Sequence, residues 1–137
     1  MSRKGFTLVE LMVVILIVAI LAAVAIPIMR GRIDAAKWSE GKAMMGTIAT
    51  AIRAYCAELD NDLGDLTALD FDTDLGFRAG DLAGTYFDQG NFSIISGAYD
   101  VMNNSLTFTI EATAGSGING PPSYTLDQDG NWVAGGI

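Results

Sequence analysis

The chain has 137 residues, with 8 Lys and Arg against 16 Asp and Glu, a formal net charge of −8, a single Cys and no His. That length accommodates one globular domain beside any membrane segment. Charge is unevenly placed: residues 1–53 hold 7 basic and 3 acidic side chains, net +4, whereas residues 54–137 hold 1 basic side chain, Arg78, and 13 acidic ones, net −12. So acidic a body argues against nucleic acid as its partner. With no His, one Cys, no Gly-rich phosphate loop after a strand and no GxSxG, no nucleophile–base pair or standard metal cluster presents itself, and the chain reads as a non-enzyme.

In chain order, the leader MSRKG carries Arg3 and Lys4, and an apolar stretch runs from Phe6 to Met29 with one charge in it, Glu10. The uncharged part, Leu11 to Met29, has 19 residues rich in Leu, Ile, Val and Ala. As a helix rising 1.5 Å per residue it just spans a hydrocarbon core of about 30 Å. The basic head group places the leader in the cytoplasm and the remainder outside, although Arg30 and Arg32 flank the far end too. A secretory signal peptide cut after Ala23-Val24-Ala25 is the rival, but the run is longer than the 7 to 15 residues typical of a signal core. A removable segment also has no use for Glu10. On insertion scales an Asp, Lys or Arg at a membrane helix centre costs about 2.5–3.5 kcal/mol, so an intramembrane carboxylate implies a partner. The bland explanation is that Glu10 snorkels to the headgroups or pairs with Lys4.

The stretch GFTLVELMVVILIVAILAAVAIP, Gly5 to Pro27, resembles the class III signal and first half-helix of type IV pilins and type II secretion pseudopilins. A short basic leader, a Gly, a Phe, a Glu four residues later and a Pro closing the apolar run coincide over about 25 of the 137 residues. The resemblance implies a prepilin peptidase/methyltransferase that cuts after Gly5 and methylates the new amine of Phe6. It also implies partners: other copies of the chain in a helical filament, and an assembly platform in the cytoplasmic membrane. On this reading Phe6, Glu10 and Pro27 are the assembly residues, and Glu10 neutralises the terminal amine of a neighbouring subunit. Opposite charges in low dielectric attract strongly, while either alone would be an unpaired buried ion.

After Pro27, apolar residues recur at Met44 or Met45, Ile48, Ile52, Tyr55 and Leu59, steps of three or four that define one face of an amphipathic helix. Lys37, Glu40, Lys42 and Arg53 fall on the other face. Pro27 removes a backbone hydrogen bond and Gly31 weakens the next turn, which predicts either a simple kink or a soft joint that eases a change of packing on leaving the bilayer. Cys56 lies on the apolar stripe and reads as a buried, inert thiol. The pair of cysteines that staples many pilins is absent, which leaves disulfide-free pilins and major pseudopilins open.

From Asp60 to Gly90 the composition is Asp- and Gly-rich, and reads as loop with short helical or extended pieces. Asn91 to Ile95 reads as a first strand and Ala98 to Met102 as a second, turned at Asn103-Asn104 into Ser105 to Thr113. That last strand alternates cleanly, with Leu106, Phe108, Ile110 and Ala112 on one face. Tyr124 to Leu126 and Trp132 to Ala134 form a final hairpin. A three- to five-stranded antiparallel sheet with one apolar face needs a cover, which the stripe of the second half-helix supplies. The fold class is α+β: a long N-terminal helix, membrane-spanning then amphipathic, packed on a small sheet. Its organisation is leader 1–5, core helix 6–29, amphipathic half 30–59 and acidic head 60–137.

Asp127-Gln128-Asp129-Gly130-Asn131 resembles the opening of a calcium loop, yet an EF-hand needs a bidentate acid at its twelfth position and the sequence stops one residue short. Turn chemistry explains these residues better, and no cofactor is expected. The resemblance to major pseudopilins, which bind calcium in C-terminal loops, leaves a different calcium site open there or at Asp70 to Asp74. The 12 aromatic side chains are assigned to packing, not conduction. The expected function is a structural subunit of a type IV pilus-like filament serving adhesion, motility or DNA uptake, anchored once in the cytoplasmic membrane with its head outside and later part of a surface or periplasmic fibre. Two alternatives stay open, a type II secretion pseudopilin and a membrane-anchored binding module that never polymerises. The basic stem from Arg30 to Lys42 is expected to face acidic heads of neighbouring subunits.

Overall fold

The structure, a computed structural model, describes residues 5–136; the leader residues Arg3 and Lys4 lie outside them. The element order is helix α1 (Leu8–Ala57), a 3-10 turn (Gln89–Asn91), and strands β1 (Phe92–Asp100), β2 (Ser105–Thr113), β3 (Ser123–Asp127) and β4 (Trp132–Ala134). The fold is α+β. Two compact units divide the chain, one reaching Ile33 and the other starting at Asp34.

In the first unit, α1 is apolar on every side. From Leu8 to Met29 every residue except Ala22 is exposed, and this is, among the described residues, the one helix long and apolar enough to cross a membrane. Pro27 sits inside the helix without ending it. A proline removes one donor from the ladder and crowds the carbonyl four residues back, but the flanking apolar residues are strong helix formers and carry the helix through.

In the second unit the periodicity of three and four holds. Trp38, Gly41, Met45, Ile48, Ala49, Ile52 and Cys56 form the buried stripe of α1. They pack on the inner face of a four-stranded antiparallel sheet of order β1-β2-β3-β4. Phe92, Ile94 and Tyr99 of β1, Phe108, Ile110 and Ala112 of β2, and Leu126 of β3 complete this core. On β2 the alternation is as read from the sequence: Phe108, Ile110 and Ala112 are buried while Thr107 and Thr113 are exposed. Burying a side chain the size of Leu, Ile or Phe is worth about 1.5–3 kcal/mol, so this interface is the main stabilising term of the head.

The sheet departs from expectation at its first strand. Two separate strands, Asn91 to Ile95 and Ala98 to Met102, are expected, whereas one nine-residue strand pairs with β2 from Phe92↔Ala112 to Asp100↔Ser105. A bulge between Ile94 and Ser96 inserts one extra residue, so the buried positions change from Phe92 and Ile94 to Tyr99. Gly97 follows the bulge because a side chain there would meet Leu66 and the Thr107 carbonyl at 2.8 Å.

The Asp-rich segment is irregular, as composition suggests, but it is pinned. Leu63 exchanges two backbone hydrogen bonds with Tyr99 (2.9 and 2.7 Å), and the Leu66 N–H donates to the Gly97 carbonyl at 3.0 Å. Leu66, Leu82 and Phe87 from this segment are fully buried in the core. The segment thereby covers the free border of β1.

Candidate functional site

The residues singled out for processing and assembly gather at the start of α1. Gly5 and Phe6 precede the helix, and Phe6 is 85% exposed. Thr7 is the N-cap. Its hydroxyl accepts the Glu10 N–H at 3.2 Å, while one carboxylate oxygen of Glu10, Oε2, accepts the Thr7 N–H at 2.8 Å and the Thr7 hydroxyl at 2.9 Å. This is a reciprocal capping box, which satisfies donors that the first helical turn would otherwise leave without partners. The sequence signal was present: Thr7-Leu8-Val9-Glu10 is the T-x-x-E pattern ahead of an apolar run. Pro27 lies nineteen residues along the helix from Leu8 and does not join this group.

A second set of polar contacts ties α1 to the head loops. Lys37, Glu40, Lys42 and Arg53 were expected on the solvent face; Arg53 is exposed, whereas Lys37, Glu40 and Lys42 are half-buried at the border of the apolar stripe, and all four reach across to the head. Glu40 Oε1 accepts the backbone N–H groups of Tyr86 (2.8 Å) and Phe87 (3.1 Å). Those N–H groups, that of Tyr86 foremost, hold the Glu40 carboxyl below its ordinary range, against the opposing effect of burial. The Lys37 ammonium donates to the Gly117 carbonyl at 2.6 Å and pairs with Asp34 at 3.4 Å. Lys42 lies 4.1 Å from the centre of the Tyr124 ring and 5.4 Å from that of Trp132. Arg53 donates to the Gln128 carbonyl at 3.1 Å and stacks 5.2 Å from the Phe108 ring centre. A long side chain at the edge of a stripe can extend its charged end to such partners while its stem covers apolar surface.

The Asp residues considered for calcium are engaged by their own turns. Asp127 accepts the N–H groups of Asp129 (2.9 Å) and Asn131 (2.8 Å) and the Asn131 side-chain amide (2.9 Å). Asp70 accepts the N–H groups of Asp72 and Thr73, each at 2.9 Å. These bonds, the Asn131 side chain first for Asp127 and the Thr73 N–H first for Asp70, lower both carboxyl pKa values. Among the described residues no group of three acidic, His or Cys side chains is placed to hold a metal ion. Cys56 is buried, and that burial raises its thiol pKa.

Comparison with known proteins bears on the first of these two sites. A family model described as the prokaryotic N-terminal methylation motif matches residues 1–26. The N-terminal segment carries that motif, and relatives similar to the chain are named as pilins, fimbrial proteins and a type II secretion protein. Type II secretion system core protein G of Pseudomonas aeruginosa is 44% identical over 60 residues, covering 44% of this chain and 41% of that protein. Type IV major pilin protein PilA of Myxococcus xanthus is 38% identical over 75 residues, 55% of this chain and 31% of the relative. A fimbrial protein of Pseudomonas aeruginosa is 29% identical over 137 residues, 96% of this chain and 84% of the relative. The chain thus spans less than half the length of the first two relatives. No solved structure matches it at a significant level.

Proposed function

We propose that the chain is the structural subunit of a type IV pilus-like helical filament, made as a single-pass cytoplasmic membrane precursor with its head outside. The observation that carries this reading is the helix from Leu8 to Met29, apolar all round and exposed at every residue but Ala22 among the described residues, with one carboxylate, Glu10, in its first turn. A helix apolar on every side must be surrounded, first by lipid and then by copies of itself. Small residues at Ala19, Ala22, Ala23 and Ala25 allow close approach between such helices. Prepilin peptidase cuts after Gly5 and methylates Phe6; the amine of Phe6 in one copy meets Glu10 of another. Repetition of that head-to-tail contact does not close, so it generates a fibre and not a ring. The role is structural and not catalytic.

The fimbrial relative aligned along 96% of the chain supports a pilus over a secretion pseudopilus. The 44% identity over 60 residues to a type II secretion core protein supports the pseudopilus as second reading. The deciding experiment is intact mass of the membrane-extracted protein together with imaging of sheared fibres from cells making the wild type or Glu10→Ala. The expected result is a mature chain starting at N-methylated Phe6, and fibres lost in the variant. A start at Ile26, or Glu10→Ala fibres of normal number and order, overturns the proposal.

A further inference from the structure

The head holds a cleft at the end where α1 stops. It opens between the last turns of α1, the β1–β2 turn and the β3–β4 turn, with a volume of about 370 Å³, the size class of small-ligand pockets. Cys56 and Leu106 give it an apolar lining, to which Arg53, Tyr99, Asn104 and Asp129 add polar groups. Tyr99 is 9% exposed, and its hydroxyl has no hydrogen-bond partner among the described residues. Trp38 Nε1 is the only sealed side-chain polar atom without a partner among the described residues, so the Tyr99 hydroxyl, equally unpartnered, is open to the cleft. The hydroxyl of a buried Tyr ordinarily finds a partner, and this one is turned to the space where a ligand would supply it. Arg53 donates through one amino group to the Gln128 carbonyl at 3.1 Å and lies 5.2 Å from the Phe108 ring centre, which leaves the rest of its fork unengaged. Asp129 is steadied from behind: Gln128 accepts the Phe108 N–H through Oε1 at 3.3 Å and donates through Nε2 to Asp129 Oδ2 at 2.9 Å, so Oδ1 stays open. Arg53 and Asp129 do not pair with each other; Lys37–Asp34 is the one salt bridge among the described residues.

From this arrangement we infer that the cleft is a binding site for a small zwitterion of the α-amino-acid type. Arg53 takes its carboxylate, Asp129 takes its ammonium, the Tyr99 hydroxyl donates to the carboxylate, and an apolar side chain lies over Cys56 and Leu106. Two opposite charges that line one cleft without neutralising each other call for a ligand that carries both signs. A free anion is disfavoured, because residues 54–137 carry a net charge of −12 and repel it. A neutral sugar would cover both charged groups and supply neither with a counter-charge. A guanidinium fork, by contrast, matches a carboxylate through two parallel hydrogen bonds. Asn104 at the rim adopts φ 48°, a left-handed conformation that Asn accepts more readily than most residues, and so shapes the wall beside Tyr99 and Leu106. Every group involved belongs to the head, so binding needs no assembly of copies.

The test titrates L-leucine into the full chain in detergent micelles and follows backbone and Arg side-chain NMR signals. Signals of Arg53, Tyr99, Gln128 and Asp129 are expected to move together, with a dissociation constant on the order of a millimolar or below. Isocaproate, which lacks the ammonium, isoamylamine, which lacks the carboxylate, and D-galactose are each expected to bind at least about tenfold more weakly. Arg53→Gln and Asp129→Asn should each weaken L-leucine about tenfold or more, and Tyr99→Phe, which keeps the ring and loses the hydroxyl, about fivefold. Signals of the sheet that stay in place in each variant show that the head is folded. No movement at the cleft with L-leucine, or movement that all three variants leave unchanged, overturns the inference. So does isocaproate, isoamylamine or D-galactose binding as tightly as L-leucine, which would give the cleft to carboxylates, amines or sugars. Fibres are not read in this titration, so its failure leaves the filament reading standing, and loss of the filament reading leaves the cleft to be judged by its own ligand.

Discussion

Two glycines of α1 allow the packing between helix and head to be measured with one chemical change. At Gly41 an added Cβ would come within 2.7–2.9 Å of three ring carbons of Phe87. That ring cannot retreat cheaply: Phe87 is 2% exposed, with the Trp38 ring centre 5.1 Å away and that of Phe92 5.9 Å away. At Gly46, five residues on, an added Cβ meets nothing within 4 Å. Replacing Gly by Ala within a helix gains about 0.5–1 kcal/mol of backbone propensity at either site. Overpacking a filled core costs about 1–3 kcal/mol, so Gly41→Ala should lose up to about 2.5 kcal/mol net while Gly46→Ala gains about 0.5–1 kcal/mol. Chemical denaturation of the full chain in detergent, followed by Trp fluorescence, reads the difference. Equal stability of the two variants would refute the packing of Phe87 against Gly41.

Glu40→Ala removes the acceptor of the Tyr86 and Phe87 N–H groups and, because water can replace it at this partly exposed position, should destabilise the head by only about 0.5–1.5 kcal/mol, with Glu40→Gln losing less; the same denaturation assay checks both. Because hydrogen bonds lower the folded pKa of Glu40, and also of Asp65, Asp70, Asp100 and Asp127, these groups contribute stability above the ordinary carboxylate range that is lost as pH falls through their folded values. The denaturation midpoint should therefore hold steady near neutrality and drop in acid; a midpoint that rises on acidification contradicts the assignment. Cys56 should resist alkylation by a maleimide in the folded chain and react once denaturant is added, read by mass. If the basic stem from Arg30 to Lys42 faces acidic heads of neighbouring copies, raising salt from low to molar concentration should loosen fibres in light scattering, and fibres indifferent to salt remove that contact.

Much of the architecture is legible in the sequence because two physical periods are well expressed. Met45, Ile48, Ile52 and Cys56 share a stripe at helical spacing, and Phe108, Ile110 and Ala112 alternate on β2, so both inner faces can be read without structure. The first strand was less legible because its period slips: the bulge at Ile95 shifts the buried set by one residue, and an alternation test then sees two short strands where one exists. The pinning of the Asp-rich segment by Leu63 and Leu66 had no signal at all, since it runs through backbone groups that every residue carries. The border charges of α1 were visible as charges, but their partners are backbone groups of loops as much as eighty residues away and aromatic rings of the sheet. At the helix mouth the T-x-x-E pattern of Thr7 and Glu10 is legible in the sequence as a capping box.

The covered border of β1 bears on how copies can join. Beta proteins that leave a long strand with bare N–H and C=O groups invite another chain to zip on, the route by which ribbons of amyloid type grow. Here Leu63 and Leu66 occupy one border, and the other is β4, only three residues long. Sideways strand addition therefore finds few bare backbone groups to grip on this sheet.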